Sequence, residues 1–430
     1  MEIVVELNPS EVSYPHSREE RALLDCHVAQ QFEERGEYEE ARRQLSPFWP
    51  SFAENPDLTG LGPAARGRLL RRIGTLTGWL GRVRQMSGAQ ERAKDLLTQC
   101  LEIYQRLGDR LEITETKYDL ALCYWREGAF DEARIIINSA LTMLEAGDEY
   151  WEGKLLHRAA VIEFKAQNLH EALRLLRRAE GKIGTGNYAL LEGKLHSELG
   201  LVLRSIFLRE ETFAMKISVT GSDYYKQYLH FALYEYTKAL ELFERASHRR
   251  YAAYVENNIG NLYLSQGRYD EAQRYLGMAL RRFRELDDAG SAAQVTESMA
   301  GVYMAQGKLR KALTCARAAV EALRRGDDRA LLSEALVTLG RVYARRGQCQ
   351  RAGEVLRQAV ETSESSGDPE GAGSATLTLL EELFDNLCAD ERRSMHAQAE
   401  RLLCRPMNPA NVERLREVSI RYCQVNVKNK

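Results

Sequence analysis

The stretches GRYDEA (267–272), GKLRKA (307–312) and GQCQRA (347–352) begin forty residues apart, and each opens with glycine and closes with alanine. Four further copies lie upstream, the last with glutamine in place of glycine: GEYEEA (36–41), GAQERA (88–93), GAFDEA (128–133) and QNLHEA (167–172). A fixed period of this length indicates a stacked array of repeats, each repeat being one supersecondary unit. Since such an array presents a long continuous surface, the period favours a binding function.

The bulk composition is that of an ordinary soluble protein. The 430 residues include 60 basic and 62 acidic side chains, with a net charge of −2. Without a global positive field, direct binding to nucleic acid or to a membrane surface is not expected. The N-terminal residues lack the basic flank of a signal peptide, and no apolar run approaches the roughly 20 residues of a membrane span. We therefore expect a soluble, cytoplasmic protein.

The cysteines and histidines form no pattern that indicates a metal site or a disulfide framework. Eight of each are present, without a CxxC pair or an HExxH motif. Cysteines within helical patterns, such as Cys123 and Cys315, are predicted to be buried free thiols. The glycine-rich stretch GKIGTGN (181–187) lacks the order of a phosphate-binding loop and is predicted to be an inter-repeat turn. We expect no metal, no cofactor and no enzyme site.

Helical hairpins account for the repeating unit. No proline occurs between Pro63 and Pro369, and proline breaks helix interiors. In residues 253–289, apolar residues recur at helical spacing on both sides of a glycine turn. The packing and turn positions of this unit are Gly260, Tyr263, Gly267, Tyr269, Ala272 and Ala279.

This order of residues resembles the tetratricopeptide repeat (TPR). The resemblance implies an all-α fold, an α-solenoid of eight to nine helical hairpins that form a right-handed superhelix. The period of forty residues exceeds the usual figure of about 34, so both helices of each unit are expected to lengthen to about four or five turns. In that respect the chain resembles the long-helix TPR arrays of signalling scaffolds and of bacterial regulators.

The register of the repeats predicts the organisation of the chain. Residues 1–17 are an N-terminal tail, 18–404 the array, 405–424 a capping helix and 425–430 a second tail. At two places the spacing between corresponding repeat positions exceeds forty residues, which indicates insertions. One is a loop at 47–63, rich in proline and glycine, and the other is about twenty residues at 208–227 in the fifth unit. The second insertion contains MKISVT (215–220), which suggests a short strand.

The resemblance also implies which residues face a ligand. In TPR arrays the first helix of each pair lines the concave groove, and recurring positions along it contact the bound peptide. Transferring those positions to this chain selects Tyr118, Asp119, Trp125, Lys154, His157, Arg158, Phe164, Lys194, Glu198, Arg204, Asn257, Asn258, Asn261, Arg341 and Arg345.

The residue types in that set suit a peptide. Asparagine both donates and accepts hydrogen bonds, arginine and lysine favour carboxylates, and aromatic rings offer contact area at low entropic cost. A structural interpretation stays open, in which Asn258 and Asn261 bridge neighbouring helices and Arg341 is a solvated surface charge. The chain does not reproduce, over three adjacent units, the lysine–asparagine pattern of TPR domains that bind chaperone tails.

The sequence therefore predicts a non-enzymatic scaffold or sensor that binds a protein or peptide segment and regulates an effector enzyme or a transcription factor. One alternative is a receptor for a small signalling peptide. Another is a regulatory domain cut from a larger AAA-type or helix-turn-helix regulator. A third alternative, an enzyme whose site depends on residues 208–227, lacks any catalytic set in that segment.

Overall fold

The computed structural model describes residues 17–84, 86–127, 129–183, 188–217, 222–326, 328–403 and 409–428. Over these ranges the chain forms nineteen α-helices, one turn of 3-10 helix and no strand. The helices are α1 (Arg18–Glu34), α2 (Tyr38–Gln44), α3 (Pro63–Arg84), α4 (Ala89–Leu107), α5 (Arg110–Glu127), α6 (Phe130–Leu141), α7 (Glu149–Lys165), α8 (Leu169–Ile183), α9 (Ala189–Ile217), α10 (Ser222–Arg245), α11 (Arg249–Ser265), α12 (Tyr269–Glu285), α13 (Ala289–Ala305), α14 (Leu309–Leu323), α15 (Arg329–Arg345), α16 (Cys349–Ser365), α17 (Pro369–Leu383), α18 (Ala389–Leu402) and α19 (Pro409–Lys428).

The helices pack as nine consecutive hairpins followed by α19, which confirms the predicted all-α solenoid. From α3 to α17, each odd-numbered helix contacts its own partner, the even-numbered helix before it and the next odd-numbered helix. The odd-numbered helices therefore form the inner layer of the array. In the described chain, no helix is long and apolar enough to cross a bilayer.

The turn between the two helices of a unit requires a left-handed residue. Gly267, Gly307 and Gly347 have φ values of 71°, 72° and 71°. Gln167 occupies the same position in QNLHEA and has a φ of 64°. The glutamine thus keeps the turn that glycine makes without steric cost. Gly128, in GAFDEA, lies outside the described residues.

The alanine that closes each copy of the repeat is a packing residue. Every one of these alanines has no exposed surface: Ala41, Ala93, Ala133, Ala172, Ala272, Ala312 and Ala352. A side chain larger than a methyl group has no room where two helices meet this closely. The helices α11, α12, α13, α15 and α16 each have 17 residues, in agreement with the predicted length.

A second forty-residue spacing marks the start of the inner helices. Asp288, Asp328 and Asp368 precede α13, α15 and α17. Each carboxylate accepts a hydrogen bond from the backbone N–H three residues later, over 3.0, 3.2 and 2.8 Å respectively. These aspartates therefore satisfy helix donors that would otherwise lack a partner.

The insertion in the fifth unit lengthens its helices. The helix α9 has 29 residues and α10 has 24, against 17 in the neighbouring α11. Met215 to Ile217 are helical, so the strand suggested by MKISVT is wrong for these three residues, while 218–221 lie outside the described residues. A helix satisfies its own backbone hydrogen bonds, whereas a lone strand needs a neighbour.

Two further boundaries differ in detail from expectation. Residues 45–62 form the loop between α2 and α3, and it is packed, with Phe48 and Trp49 buried. The final helix reaches Lys428, so residues 425–428 are helical where a tail was expected. The N-terminal tail at 1–16 lies outside the described residues.

The superhelix contacts itself after one turn. The inner helix α3 lies against α13, and the Arg82 guanidinium lies 3.9 Å from the Asp328 carboxylate in the eighth unit. A Cβ placed on Gly36 would lie 2.9 Å from Cε1 of His248, which precedes α11. These contacts bring the first two units against the sixth to eighth units, so the inner helices enclose a narrow interior.

Candidate binding surface inside the superhelix

Aromatic rings from several units line the interior. Tyr38 stacks on Trp79, with ring centroids 5.1 Å apart. The imidazole of His248 stacks on Tyr251 at 4.0 Å, and Nδ1 of the same imidazole accepts the Tyr251 backbone N–H over 3.1 Å. Because these residues come from α2, α3 and α11, the wall forms only when the superhelix closes.

Several cations lie over such rings, and we call three of them the basic cluster: Arg126, Arg158 and Lys194. The Arg126 guanidinium is 4.2 Å from the centroid of Trp79, the Arg158 guanidinium 4.3 Å from that of Tyr118, and the Lys194 ammonium 4.8 Å from that of Tyr251. All three side chains are half-buried. Within the described chain none of the three forms an ion pair with a carboxylate.

The charges of the basic cluster act on one another. Burial, together with the charges of Arg82 and Arg158, lowers the pKa of Arg126 to about 10. Burial also lowers the pKa of Lys194, and Arg158 acts in the same direction. Arg158 is therefore close enough to influence both other cations. The Nε and Nη2 atoms of Arg126 and the Nε atom of Arg158 are buried without a hydrogen-bond partner in the described chain.

The charges of the basic cluster also act on the imidazole of His157. Its side chain is 5 % exposed, and neither ring nitrogen has a partner among the described residues. Burial, with the charges of Arg158 and Lys194, lowers the pKa of His157 to about 3. The imidazole is consequently neutral at physiological pH.

Three other arginines near the interior have acidic partners. Arg71 lies 2.9 Å from Glu112, and Arg72 lies 3.0 Å from Glu33. Arg250 is buried against the Asp288 carboxylate while its guanidinium covers Tyr38 at 5.0 Å.

Three carboxyl groups of the inner helices, Glu198, Glu297 and Glu334, have raised pKa values. Burial raises the pKa of Glu198 to about 7, with Lys165 and Arg158 opposing the effect. Burial raises the pKa of Glu297 to about 7 and also raises that of Glu334, on which Lys165 acts as well. Lys165, the last residue of α7, acts on both Glu198 and Glu334.

The asparagines of α11 lie on the same helix as the aromatic wall. Asn257 is 5 % exposed, and its Oδ1 has no hydrogen-bond partner in the described residues. Asn261 donates from Nδ2 to the Ser298 hydroxyl over 3.2 Å, so it bridges two inner helices as the structural interpretation holds. Asn258 is half-buried.

Family comparisons agree with this architecture. One tetratricopeptide-repeat family model matches residues 72–146 and 291–365, and a second matches 257–286. This chain is a TPR protein. No curated protein sequence matches it significantly.

Several solved structures share the TPR fold. The Rap protein complexed with Competence and Sporulation Factor is 17% identical, with a TM-score of 0.55 over 83% of this chain and 98% of that one. A STAND protein with a tetratricopeptide repeat sensor from Pyrococcus horikoshii is 15% identical, with a TM-score of 0.50 over 90% of this chain and 55% of that one. The human IFIT1 dimer with m7Gppp-AAAA is 15% identical, with a TM-score of 0.55 over 85% and 72%. At these identities the likeness concerns the fold.

The remaining predicted positions of the TPR array have diverse surroundings. Trp125 and Phe164 pack against hydrophobic clusters of the inter-helix core. Arg204 is half-buried, with Nε lacking a partner among the described residues. Arg341 lies 3.4 Å from Glu382, and Arg345 is exposed. Asp119 is half-buried, and burial raises its pKa against the charges of Arg71 and Lys154. Lys154 lies 4.2 Å over Trp151.

Reasoning from sequence missed several interior residues of the TPR array, namely Tyr38, Trp79, Arg82, Arg126, Tyr251 and Tyr254. A signal was present for three of them. Tyr251 and Tyr254 precede Asn258 and Asn261 at steps of three, four and three residues, which places all four on one face of α11. Arg126 follows Asp119 by seven residues, two helical turns along the inner face of α5.

No set of histidine, cysteine, aspartate and glutamate residues in the described chain could hold a metal ion. The described cysteines are free thiols, with Cys123 buried and Cys315 half-buried. Burial raises the pKa of Cys123 to about 11, so this thiol is a poor nucleophile at neutral pH.

Proposed function

We propose that this TPR protein is a non-catalytic, cytoplasmic scaffold or sensor that holds a protein or peptide segment inside its superhelix. The observation that supports this proposal is the presence of unpaired cations over aromatic rings on consecutive inner helices. Aromatic and arginine side chains of this kind dominate binding energies at protein interfaces. The Rap protein, similar in fold, is known in complex with Competence and Sporulation Factor.

A pull-down from the native host, followed by mass spectrometry, tests the proposal. The bait is the wild-type chain, and a variant carries Arg158→Ala, Asn257→Ala and Asn261→Ala. A matched control carries Arg106→Ala, because Arg106 is exposed on the outer helix α4. We expect the triple variant to lose a partner that the control retains. Equal recovery of every partner by all three baits would contradict the proposal.

We further propose that ligand binding regulates an effector, either an enzyme or a transcription factor. The STAND protein with a TPR sensor offers a fold-level precedent, and this chain covers 55% of its length. In that arrangement the array would be the sensory part of a larger system. Neighbouring genes that encode an ATPase, a DNA-binding protein or a protease would support this role.

The alternative of a receptor for a small signalling peptide rests on the closed superhelix. A peptide that occupies the interior competes with or reinforces the contacts between α3 and the sixth to eighth units. Small-angle scattering with candidate peptides should then show a change in the radius of gyration. An unchanged scattering profile with a peptide that demonstrably binds would exclude this alternative.

A further inference from the structure

The first two units meet the sixth to eighth units through charged and aromatic side chains. The Arg250 guanidinium lies 5.0 Å from the ring centroid of Tyr38. The Arg82 guanidinium lies 5.7 Å from the ring centroid of Tyr254 and 3.9 Å from the Asp328 carboxylate. The turn between α1 and α2 lies against the residue that precedes α11. We call these four contacts the latch: Tyr38–Arg250, Arg82–Tyr254, Arg82–Asp328 and Gly36–His248.

The latch lacks the hydrophobic core that joins consecutive units. In the described chain, one cluster of buried apolar side chains lies within residues 22–113 and another within 203–302. Neither these clusters nor the others among the described residues contain side chains from both sides of the latch. Burial of apolar surface is the main source of stability in folding and in association. The latch is therefore weaker than the joints between consecutive units.

The contacts of the latch can break without stranding a buried charge. Cation–π pairs and partly exposed ion pairs each contribute modestly to stability. The side chains of Arg82 and Asp328 are both 25% exposed, so dissolved ions reach this pair. Arg250 keeps its own anion, because it pairs with Asp288 on the same side of the latch. Separation of the two sides removes only the Tyr38 ring from Arg250.

The closed superhelix hides polar atoms of its inner helices. Both ring nitrogens of His157, Oδ1 of Asn257 and Nε of Arg158 are buried and lack a hydrogen-bond partner among the described residues. The charges of Glu34 on α1 and Arg158 on α7 both act on Lys194 of α9, so the first and fourth units influence the fifth across the interior. A ligand can reach these buried atoms only after the helices around them have moved apart.

We propose that the latch holds the superhelix closed and opens reversibly to admit a ligand to the interior. The latch closes again behind the ligand, because the aromatic wall of Tyr38, Trp79 and Tyr251 forms only in the closed superhelix. This role in ligand entry rests on the proposed function. The opening itself is a property of the chain alone, so it is measurable without a ligand.

Two aspartate substitutions test the latch without the loss of a helix cap. Asp328→Asn removes the negative charge that faces Arg82, while asparagine can still cap α15. Asp368→Asn is the matched control, because Asp368 caps α17 in the same way and forms no ion pair in the described chain. We expect small-angle scattering to show a larger radius of gyration for Asp328→Asn and an unchanged radius for the control. Equal helical circular dichroism shows that both variants are folded.

A disulfide across the latch supplies a closed reference. A Cβ on Gly36 would lie 3.4 Å from Cβ of Arg250, once the His248 ring has shifted to admit it. Natural disulfides join Cβ atoms about 3.5–4.5 Å apart. The variant with Gly36→Cys and Arg250→Cys should be expanded when reduced, because it lacks the Tyr38–Arg250 contact, and compact when oxidised. Mass spectrometry of the cross-linked peptide identifies the bond among the native cysteines.

Ionic strength distinguishes a reversible latch from a rigid closure. At about 1 M salt the Debye length falls to about 3 Å, so the Arg82–Asp328 pair weakens. We expect the radius of gyration of the wild-type chain to rise from low to high salt, and that of the oxidised variant to stay constant. Acrylamide quenching of Trp79, which stacks on Tyr38, should increase over the same range. Trp79→Phe supplies the background from the other tryptophans.

The outcomes separate the latch from the proposed function. An identical radius for the wild-type chain, Asp328→Asn and the oxidised variant at both salt concentrations overturns the latch, because the superhelix is then rigidly closed. A wild-type radius at low salt equal to that of the reduced variant also overturns it, because the superhelix is then open at rest. Recovery of a partner by such a chain leaves the proposed function in place. Salt-dependent opening without any recovered partner supports the latch and contradicts the proposed function.

Discussion

At the residue scale, glycine has two different functions in this array. At the turns, glycine supplies a left-handed backbone, and a Cβ on Gly307 would meet no atom within 4 Å. Inside the helices, glycine supplies room, because a Cβ on Gly340 would lie 2.5 Å from Cγ of Leu356. The two functions have different physical origins, so substitutions separate them.

The turn position is tested by exchanging the residues found there. Gly307→Ala should lower the free energy of unfolding by about 1 kcal/mol, because alanine is strained at a φ of 72°. Gln167→Gly should raise it by a similar amount, since glutamine already bears that strain at 64°. Urea denaturation followed by circular dichroism measures both. A stabilising Gly307→Ala variant would refute this explanation.

The packing position is tested by alanine at two helical glycines. Gly340→Ala should destabilise the fold by roughly 1–3 kcal/mol, because the added methyl group collides with Leu356. Gly277→Ala is the matched control, since a Cβ there meets nothing within 4 Å, and it should stabilise α12 by up to about 1 kcal/mol. Thermal unfolding of both variants measures the difference, and equal effects would argue against close packing at Gly340.

The interior carboxyl groups link stability to pH. Burial raises the pKa of Glu297 to about 7 from a reference value of 4.5, so the folded state binds this proton more tightly than the unfolded state. The stabilisation is therefore present below pH 4.5 and is lost as the pH rises through 7. The difference in stability between Glu297→Gln and the wild type should therefore shift in favour of the variant between pH 5 and pH 8. Melting temperatures across that range test this, and a pH-independent difference would falsify it.

At the element scale, the inner helices begin at aspartates with a forty-residue spacing. These caps are local features, because each carboxylate bonds a backbone N–H of its own helix. Asp328 also faces Arg82 from another turn of the superhelix. Aspartate therefore only caps the helix at the start of α17, whereas at the start of α15 it also makes a long-range contact.

The helix caps give a prediction at this scale. Asp368→Ala should lower the free energy of unfolding by about 1 kcal/mol, since α17 loses its N-cap. Asp328→Ala should lower the free energy of unfolding by at least as much, because it removes both the N-cap of α15 and the contact with Arg82. A double-mutant cycle with Arg82→Ala separates the two effects. Complete additivity would show that the cross-turn pair contributes no coupling energy.

At the scale of the whole molecule, the array closes on itself, and the binding surface depends on that closure. Arg82→Ala should loosen the contact of α3 with the sixth to eighth units and increase amide exchange at the start of α15. Arg84→Ala is the control, because Arg84 pairs with Glu39 in the adjacent unit. Hydrogen exchange with mass spectrometry measures both. Similar exchange at α15 in the two variants would contradict a specific cross-turn contact.

The sequence alone was sufficient to predict the repeat, its register and the fold. The glycine and alanine spacing specified the turns and the tight helix contacts, because these interactions lie within one unit or between neighbouring units. The same register predicts that Tyr118, Arg158 and Lys194 lie on inner helices, as the structure shows. The extended helices of the fifth unit were missed, since the added residues lack the repeat pattern that specifies the other units.

Only the tertiary structure decided which inner residues meet. The contact of Gly36 with His248 and the pairing of Arg82 with Asp328 depend on the pitch of the superhelix. That pitch is the sum of small rotations over many units, and no single repeat encodes it. The sequence by itself determined the repeating unit through local packing. The contacts between the first two units and the sixth to eighth units, by contrast, join residues that become neighbours only after a full turn.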